Sequence, residues 1–175
     1  MTRPLRLAAL AALAGLAVAA PLAAQTPADS AATTAAAAED TLSAAETSAQ
    51  FLARVAARPG VERSRSGVLW TVARRGSGQR PMRSESVLAT YVGRLADGTV
   101  YDRAPPGAPV RLPVRGVVPG MAEALQEMRP GETRTVYLPP SLAYGARGVP
   151  GRGGVWRVPP HAALVFRLTL VRVVP

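Results

Sequence analysis

Residues 67–175 of this chain predict an α+β fold: a curved antiparallel β-sheet wrapped on one short α-helix, with a signal peptide and an N-terminal helix ahead of it. Three observations support that class. Apolar residues alternate at period two in short runs, as in Val68, Trp70 and Val72, the pattern of strands. Asp97-Gly98 sits between two such runs as a hairpin turn. The one short helical stretch of this region, Met121 to Met128, is fenced by Pro119 before it and Pro130-Gly131 after it. Strands in series around a lone helix make an α+β domain.

The elements follow in chain order. With 175 residues there is room for one domain and appendages rather than two full cores. Residues 1–24 have the make-up of a secretory signal: Arg3 and Arg6, the apolar run Leu7 to Ala20, and small residues at Ala23 and Ala24. The run is short for a bilayer span, and the alternative is an uncleaved anchor. Residues 25–40 hold Ala, Thr, Ser, Asp and Pro with almost no large apolar side chain, the composition of a disordered tether. Residues 41–66 form a helix and linker. Leu42, Ala45, Ala49, Leu52 and Ala56 make a narrow stripe, Ser43 and Glu46 have capping-box spacing, and Pro59-Gly60 stops the helix after Arg58. A stripe made mostly of alanine fits packing on the domain or weak self-association.

Within residues 67–175 the strand of Val68, Trp70 and Val72 has one buried face, and Val87 to Val92 is a second strand. The Asp97-Gly98 turn leads to Thr99 to Asp102. Pro113 to Gly120 bends the chain into the helix. Glu132 to Leu138 and Ala163 to Val174 are the remaining strands, and no segment repeats.

Composition removes several chemistries. There is no cysteine, so disulfides and thiolate metal sites are out, and the single histidine, His161, cannot build a histidine metal centre. His161 follows two prolines, a place for a turn or strand start rather than a general base. All 21 basic residues are arginine and the formal net charge is +10. They are spread along the chain without stacking aromatics, which speaks against nucleic acid and leaves a weak, salt-dependent pull on acidic partners.

The remaining motifs converge. Tyr91-Val92-Gly93-Arg94-Leu95 precedes Asp97-Gly98-Thr99-Val100-Tyr101-Asp102. Val117-Val118-Pro119-Gly120-Met121 then leads into Ala124-Leu125-Gln126-Glu127-Met128. Gly131-Glu132 begins the next strand, and Ala143-Tyr144-Gly145 precedes Val158-Pro159-Pro160 and the strand through Phe166. In this order, over residues 67–175, they resemble the FKBP-type peptidyl-prolyl cis-trans isomerase domain. Phe51-Leu52-Ala53-Arg54 through Pro59-Gly60-Val61 resembles the helix-to-domain junction of its secreted bacterial, Mip-like members.

The resemblance implies a proline pocket. Tyr91, Tyr101, Asp102, Val118, Tyr144 and Phe166 would carry catalysis, with Val110, Leu112, Val117, Met121 and Val158 binding substrate. The Val118 N–H and the Tyr144 hydroxyl would hold substrate carbonyls, and Asp102 would orient a tyrosine hydroxyl, that of Tyr91. Apart from the resemblance, Tyr91, Val110, Leu112 and Phe166 read first as strand core and Trp70 as core, while Asp102 and Tyr144 read also as turn residues. The sequence departs from the family pattern at Met121, where a tryptophan is usual, and at Val110 and Tyr101, where phenylalanine is common. Tyr101 thereby adds a hydroxyl that needs a partner or water. The segment Gly148 to Arg157 is several residues longer than usual; Trp156 is either a lid over the pocket or a residue tucked on the sheet.

The implied activity is isomerisation of X-Pro bonds during folding of envelope or secreted proteins, with a weakly catalytic or non-catalytic peptide-binding chaperone as the alternative. A third reading is an envelope scaffold that self-associates through Leu42 and Leu52 of the N-terminal helix. Such chemistry needs no cofactor and no metal. Its partners would be unfolded or proline-containing polypeptides, with a weak homodimer through the N-terminal helix and no stable membrane span after signal removal. The location would be periplasmic or secreted.

Overall fold

The computed structural model describes residues 47–175; the expected signal peptide, the expected tether and the expected Ser43–Glu46 capping box lie outside them. Among the described residues two α-helices, α1 (Ser48–Ala56) and α2 (Pro119–Glu127), accompany nine strands. These are β1 (Glu62–Arg63), β2 (Leu69–Arg74), β3 (Ser86–Leu95), β4 (Val100–Arg103), β5 (Val110–Pro113), β6 (Thr133–Leu138), β7 (Val149–Pro150), β8 (Trp156–Val158) and β9 (Leu164–Val174). One antiparallel sheet runs β1–β2–β6–β9–β3–β4, with β5 also on β3, and β7 pairs with β8 as a separate hairpin. The first half of β3 meets β5, through Val87 opposite Leu112, and its second half meets β4, through Gly93 opposite Asp102. On its other edge β3 pairs with β9 along its whole length.

Period-two alternation decides where the core lies. Val136, Leu138, Leu164, Phe166 and Leu168 point to the face covered by Met121, Leu125 and Met128 of the α2 segment. Tyr137 and Val165, one residue out of phase, point the other way and meet Phe51 and Val55 of α1. The sheet is therefore covered on both faces. The single buried face expected for the first strand is corrected: Val68 and Leu69 are both buried, one in each cluster.

The N-terminal helix also differs from expectation. Thr47 is extended (φ −79°, ψ 160°) and caps the helix, so α1 starts at Ser48 and the expected Thr41 start lies outside the described residues. Its side chain accepts the Gln50 N–H at 3.3 Å, while Gln50 Oε1 accepts the Thr47 N–H at 2.9 Å, a capping box four residues beyond the expected one. The buried stripe is Phe51 and Val55, not the alanines; Ala49 and Ala56 are exposed. Spacing alone allowed either stripe, and the larger side chains bury more apolar area. The helix is anchored by Ser48, whose hydroxyl donates to the His161 carbonyl and accepts the Ala163 N–H, each at 2.9 Å.

The second helix begins two residues earlier than expected, with Pro119 at its first position, where a missing N–H costs nothing. The long segment after Tyr144 is not an open loop. It folds into the β7–β8 hairpin around a 3-10 turn at Arg152–Gly154, where Gly153 and Gly154 supply positive φ.

Candidate active site

A cavity of about 270 Å³ opens where β3, β4, β5 and β9 curl around the start of α2. Tyr91 from β3, Tyr101 and Asp102 from β4, Leu112 from β5 and Phe166 from β9 supply one side. Gly116, Val117, Val118 and Met121 supply the floor and far wall, and Tyr144 closes the rim. Asp102 is the one carboxylate among these ten residues, and none of them is a histidine, lysine or arginine.

The aromatic wall is a set of tilted and edge-on rings. Phe166 lies 6.2 Å from Tyr91 and 6.0 Å from Tyr101, and Tyr101 meets Tyr144 edge-on at 6.5 Å. These are favoured geometries for aromatic quadrupoles and hold the rings apart as a slot rather than a stack. Gly93 makes room for them. A Cβ there would lie 2.9 Å from Phe166 Cε1 and 3.1 Å from Tyr101 Cζ. Val118 caps α2 with non-helical backbone angles (φ −57°, ψ 148°), and its carbonyl accepts the Ala122 N–H at 3.0 Å. An N-cap N–H lies outside the helical ladder, so it is available to a ligand carbonyl.

The polar edge is a short network. The Tyr91 hydroxyl donates to Asp102 Oδ2 at 2.9 Å. Arg157, from β8, donates from Nη2 to Asp102 Oδ1 at 3.2 Å and from Nε to the Tyr101 carbonyl at 3.0 Å. Burial, then the bond and negative charge of Asp102, pushes the Tyr91 hydroxyl up to about 12. Because this value lies above the ordinary 10.0, the stability that the buried, neutral Tyr91 hydroxyl carries is fully present below pH 10 and is lost as pH rises through about 12. Burial likewise pushes Tyr101 and Tyr144 up, so all three phenols are neutral at physiological pH.

The Tyr101 hydroxyl is buried and has no hydrogen-bond partner among the described residues. Leaving such a group unpaired costs about 1–3 kcal/mol. Tyr101→Phe is therefore expected to stabilise the fold by about 1 kcal/mol. A urea melt checks this; a midpoint equal to or below that of the unsubstituted protein would show that the hydroxyl is satisfied by water.

Three residues expected at the pocket do not line it. Val110 shares a strand face with Leu112 but lies two residues away, roughly 7 Å along β5, too far for its short side chain. Val158 is buried in the main core, 1% exposed. Trp156 is 47% exposed and lines a shallow recess on the hairpin with Pro150 and Val155, so it neither covers the cavity nor packs on the sheet. In turn, sequence reasoning missed Gly93, Gly116 and Arg157. A glycine inside a strand signals close approach of something, which flags Gly93; nothing in the sequence marks Arg157.

Comparison with known proteins gives a consistent set of relatives. Residues 78–171 match the family described as FKBP-type peptidyl-prolyl cis-trans isomerase. The chain is 39% identical over 130 residues to the peptidyl-prolyl cis-trans isomerase Mip of Coxiella burnetii, covering 74% of this chain and 54% of that protein. It is 35% identical over 127 residues to the FKBP-type isomerase FkpA of Escherichia coli, covering 72% of this chain and 45% of that one. It thus spans about half the length of the curated relatives it matches. Among solved structures, a peptidyl-prolyl cis-trans isomerase from Pseudomonas syringae superimposes with a TM-score of 0.67 at 31% identity, over 81% of this chain and 96% of that one.

Proposed function

The chain belongs to the FKBP-type peptidyl-prolyl cis-trans isomerase family, and from that premise we propose that it accelerates the isomerisation of X-Pro bonds in client polypeptides. The observation that carries this reading is the convergence of Tyr91, Tyr101, Phe166, Met121 and Val117 on one cavity. The uncatalysed barrier is ~20 kcal/mol because twisting the bond breaks amide resonance. A twisted amide has less charge separation than a planar one, so an apolar slot stabilises it relative to the bound ground state.

In this reading the proline ring lies against Phe166 and Met121, flanked by Tyr91 and Tyr101. Val117 and Leu112 exclude water. The Val118 N–H and the Tyr144 hydroxyl hold substrate carbonyls and fix one side of the bond while the other rotates. Asp102 acts through Tyr91, holding the ring by its hydroxyl, and takes no proton from the substrate. The clients are unfolded or loop segments of envelope proteins; the basic and apolar make-up of residues 1–24 supports a periplasmic or secreted location. No helix among the described residues is long and apolar enough to cross a membrane.

A protease-coupled assay on the peptide Ala-Leu-Pro-Phe tests the reading. The expected result is a cis-to-trans rate that rises linearly with protein concentration. A rate equal to the uncatalysed one, with suppression of client aggregation intact, would replace the isomerase with a peptide-binding chaperone.

A further inference from the structure

We propose that Arg157 is a positioning residue of the proline pocket, delivered by the β7–β8 hairpin to hold β4 and the Asp102 carboxylate in place. The proposal rests on the pocket's being the isomerase site. Strand β4 is weakly secured by its own ladder: it lies at the sheet edge, and its register against β3 shifts between Gly93 and Arg94. Gly93 pairs with Asp102 and Arg94 with Val100, so Tyr101 is the extra residue of a bulge and has no partner in register. Yet Tyr101 and Asp102 are the two β4 residues that enter the cavity. Something other than the ladder has to fix them.

Arg157 spans both. One planar guanidinium donates from Nε to the Tyr101 carbonyl and from Nη2 to Asp102 Oδ1, at 3.0 and 3.2 Å. The carboxylate then has donors on both oxygens, Tyr91 on Oδ2 and Arg157 on Oδ1, which fixes its plane and with it the Tyr91 ring. The guanidinium also offsets the one negative charge at the pocket, and it lowers the phenol pKa values of Tyr91, Tyr101 and Tyr144 that burial raises. The ion pair is half-exposed (53% and 38%), so screening by solvent leaves it little part in global stability. Its effect is local. The hairpin itself is tied by pairing of Val149 with Val158 and Pro150 with Trp156, and by the Gly151 N–H on the Val155 carbonyl at 2.9 Å.

The test compares the full chain with Arg157→Ala and Arg157→Lys. Steady-state kinetics on Ala-Leu-Pro-Phe, thermal melts and amide NMR spectra are recorded for each. Arg157→Ala is expected to lower kcat on the order of tenfold with a smaller change in KM, an unchanged melting temperature, and displaced amide signals for Val100 to Arg103 while those of α1 stay put. Arg157→Lys keeps the charge but not the two-point fork, and is expected to recover little of the loss. Full recovery by lysine would overturn positioning in favour of charge alone. Unchanged kcat and unchanged β4 signals in Arg157→Ala would overturn the proposal outright. If the unsubstituted protein gave no turnover, the isomerase reading would fail, and with it Arg157's part in an isomerase pocket; undisplaced β4 signals would then also remove its hold on the strand.

Discussion

Glu132→Ala is expected to destabilise the fold by about 3–5 kcal/mol, a fifth or more of the stability of an ordinary domain. Glu132 and Arg134 are only 5% and 7% exposed, and they pair with each other through Glu132 Oε1 and Arg134 Nε. The second carboxylate oxygen accepts the Arg129 N–H at 3.0 Å, closing the turn after α2. The guanidinium donates from Nη2 to the Glu127 carbonyl at 3.0 Å and lies over the Trp70 ring, 5.2 Å from its centroid. Truncating Glu132 strands a buried cation whose Nη1 already has no partner among the described residues. The penalty is therefore desolvation left uncompensated, not the loss of one favourable contact. Urea denaturation checks the value. The double substitution Glu132→Ala with Arg134→Met is expected to recover most of the loss, because it removes the unpaired charge; failure to recover would trace the loss to the Arg129 turn instead.

Gly93→Ala is expected to lower kcat/KM on the order of tenfold, equivalent to about 1.4 kcal/mol of transition-state stabilisation. An alanine Cβ would stand 2.9 Å from Phe166 Cε1 and within 3.2 Å of the Tyr101 ring, so the rings must move, and the open space beside them is the cavity. The slot narrows where the proline would lie. The same assay with Phe166→Leu added discriminates the cause. Relief of the clash should restore the melting temperature but not the turnover, since leucine lacks the flat wall. If Gly93→Ala keeps full activity, the rings have room to retreat into the core and the tight fit at Gly93 carries no catalytic weight.

The succession of strands and turns along the chain was partly legible in the sequence because glycine and proline punctuate it. Asp97-Gly98 turns the chain between β3 and β4, with Asp97 Oδ1 accepting the Thr99 N–H at 2.8 Å, and Pro119 starts α2. The α1 face was misread because equal spacings of alanine and of Phe51 with Val55 compete, and area rather than spacing decides. The bond between Tyr91 and Asp102 crosses a hairpin and came only from family resemblance. Arg157 was invisible for a different reason. It reaches β4 from 55 residues away on a hairpin whose own shape depends on glycines at positive φ, and neither fact has a local signature.

The Ser48 contact has a mechanical consequence. Its hydroxyl bridges α1 to the turn at His161 and Ala163, and the His161 N–H in turn holds the Gly145 carbonyl at 2.8 Å, next to Tyr144. A relay of three hydrogen bonds thus couples the first helix to the rim of the cavity on the far face of the sheet. Tension applied to the chain at Thr47 reaches that rim directly, and in hydrogen-exchange experiments α1, the His161 turn and the start of β9 should open as one cooperative unit.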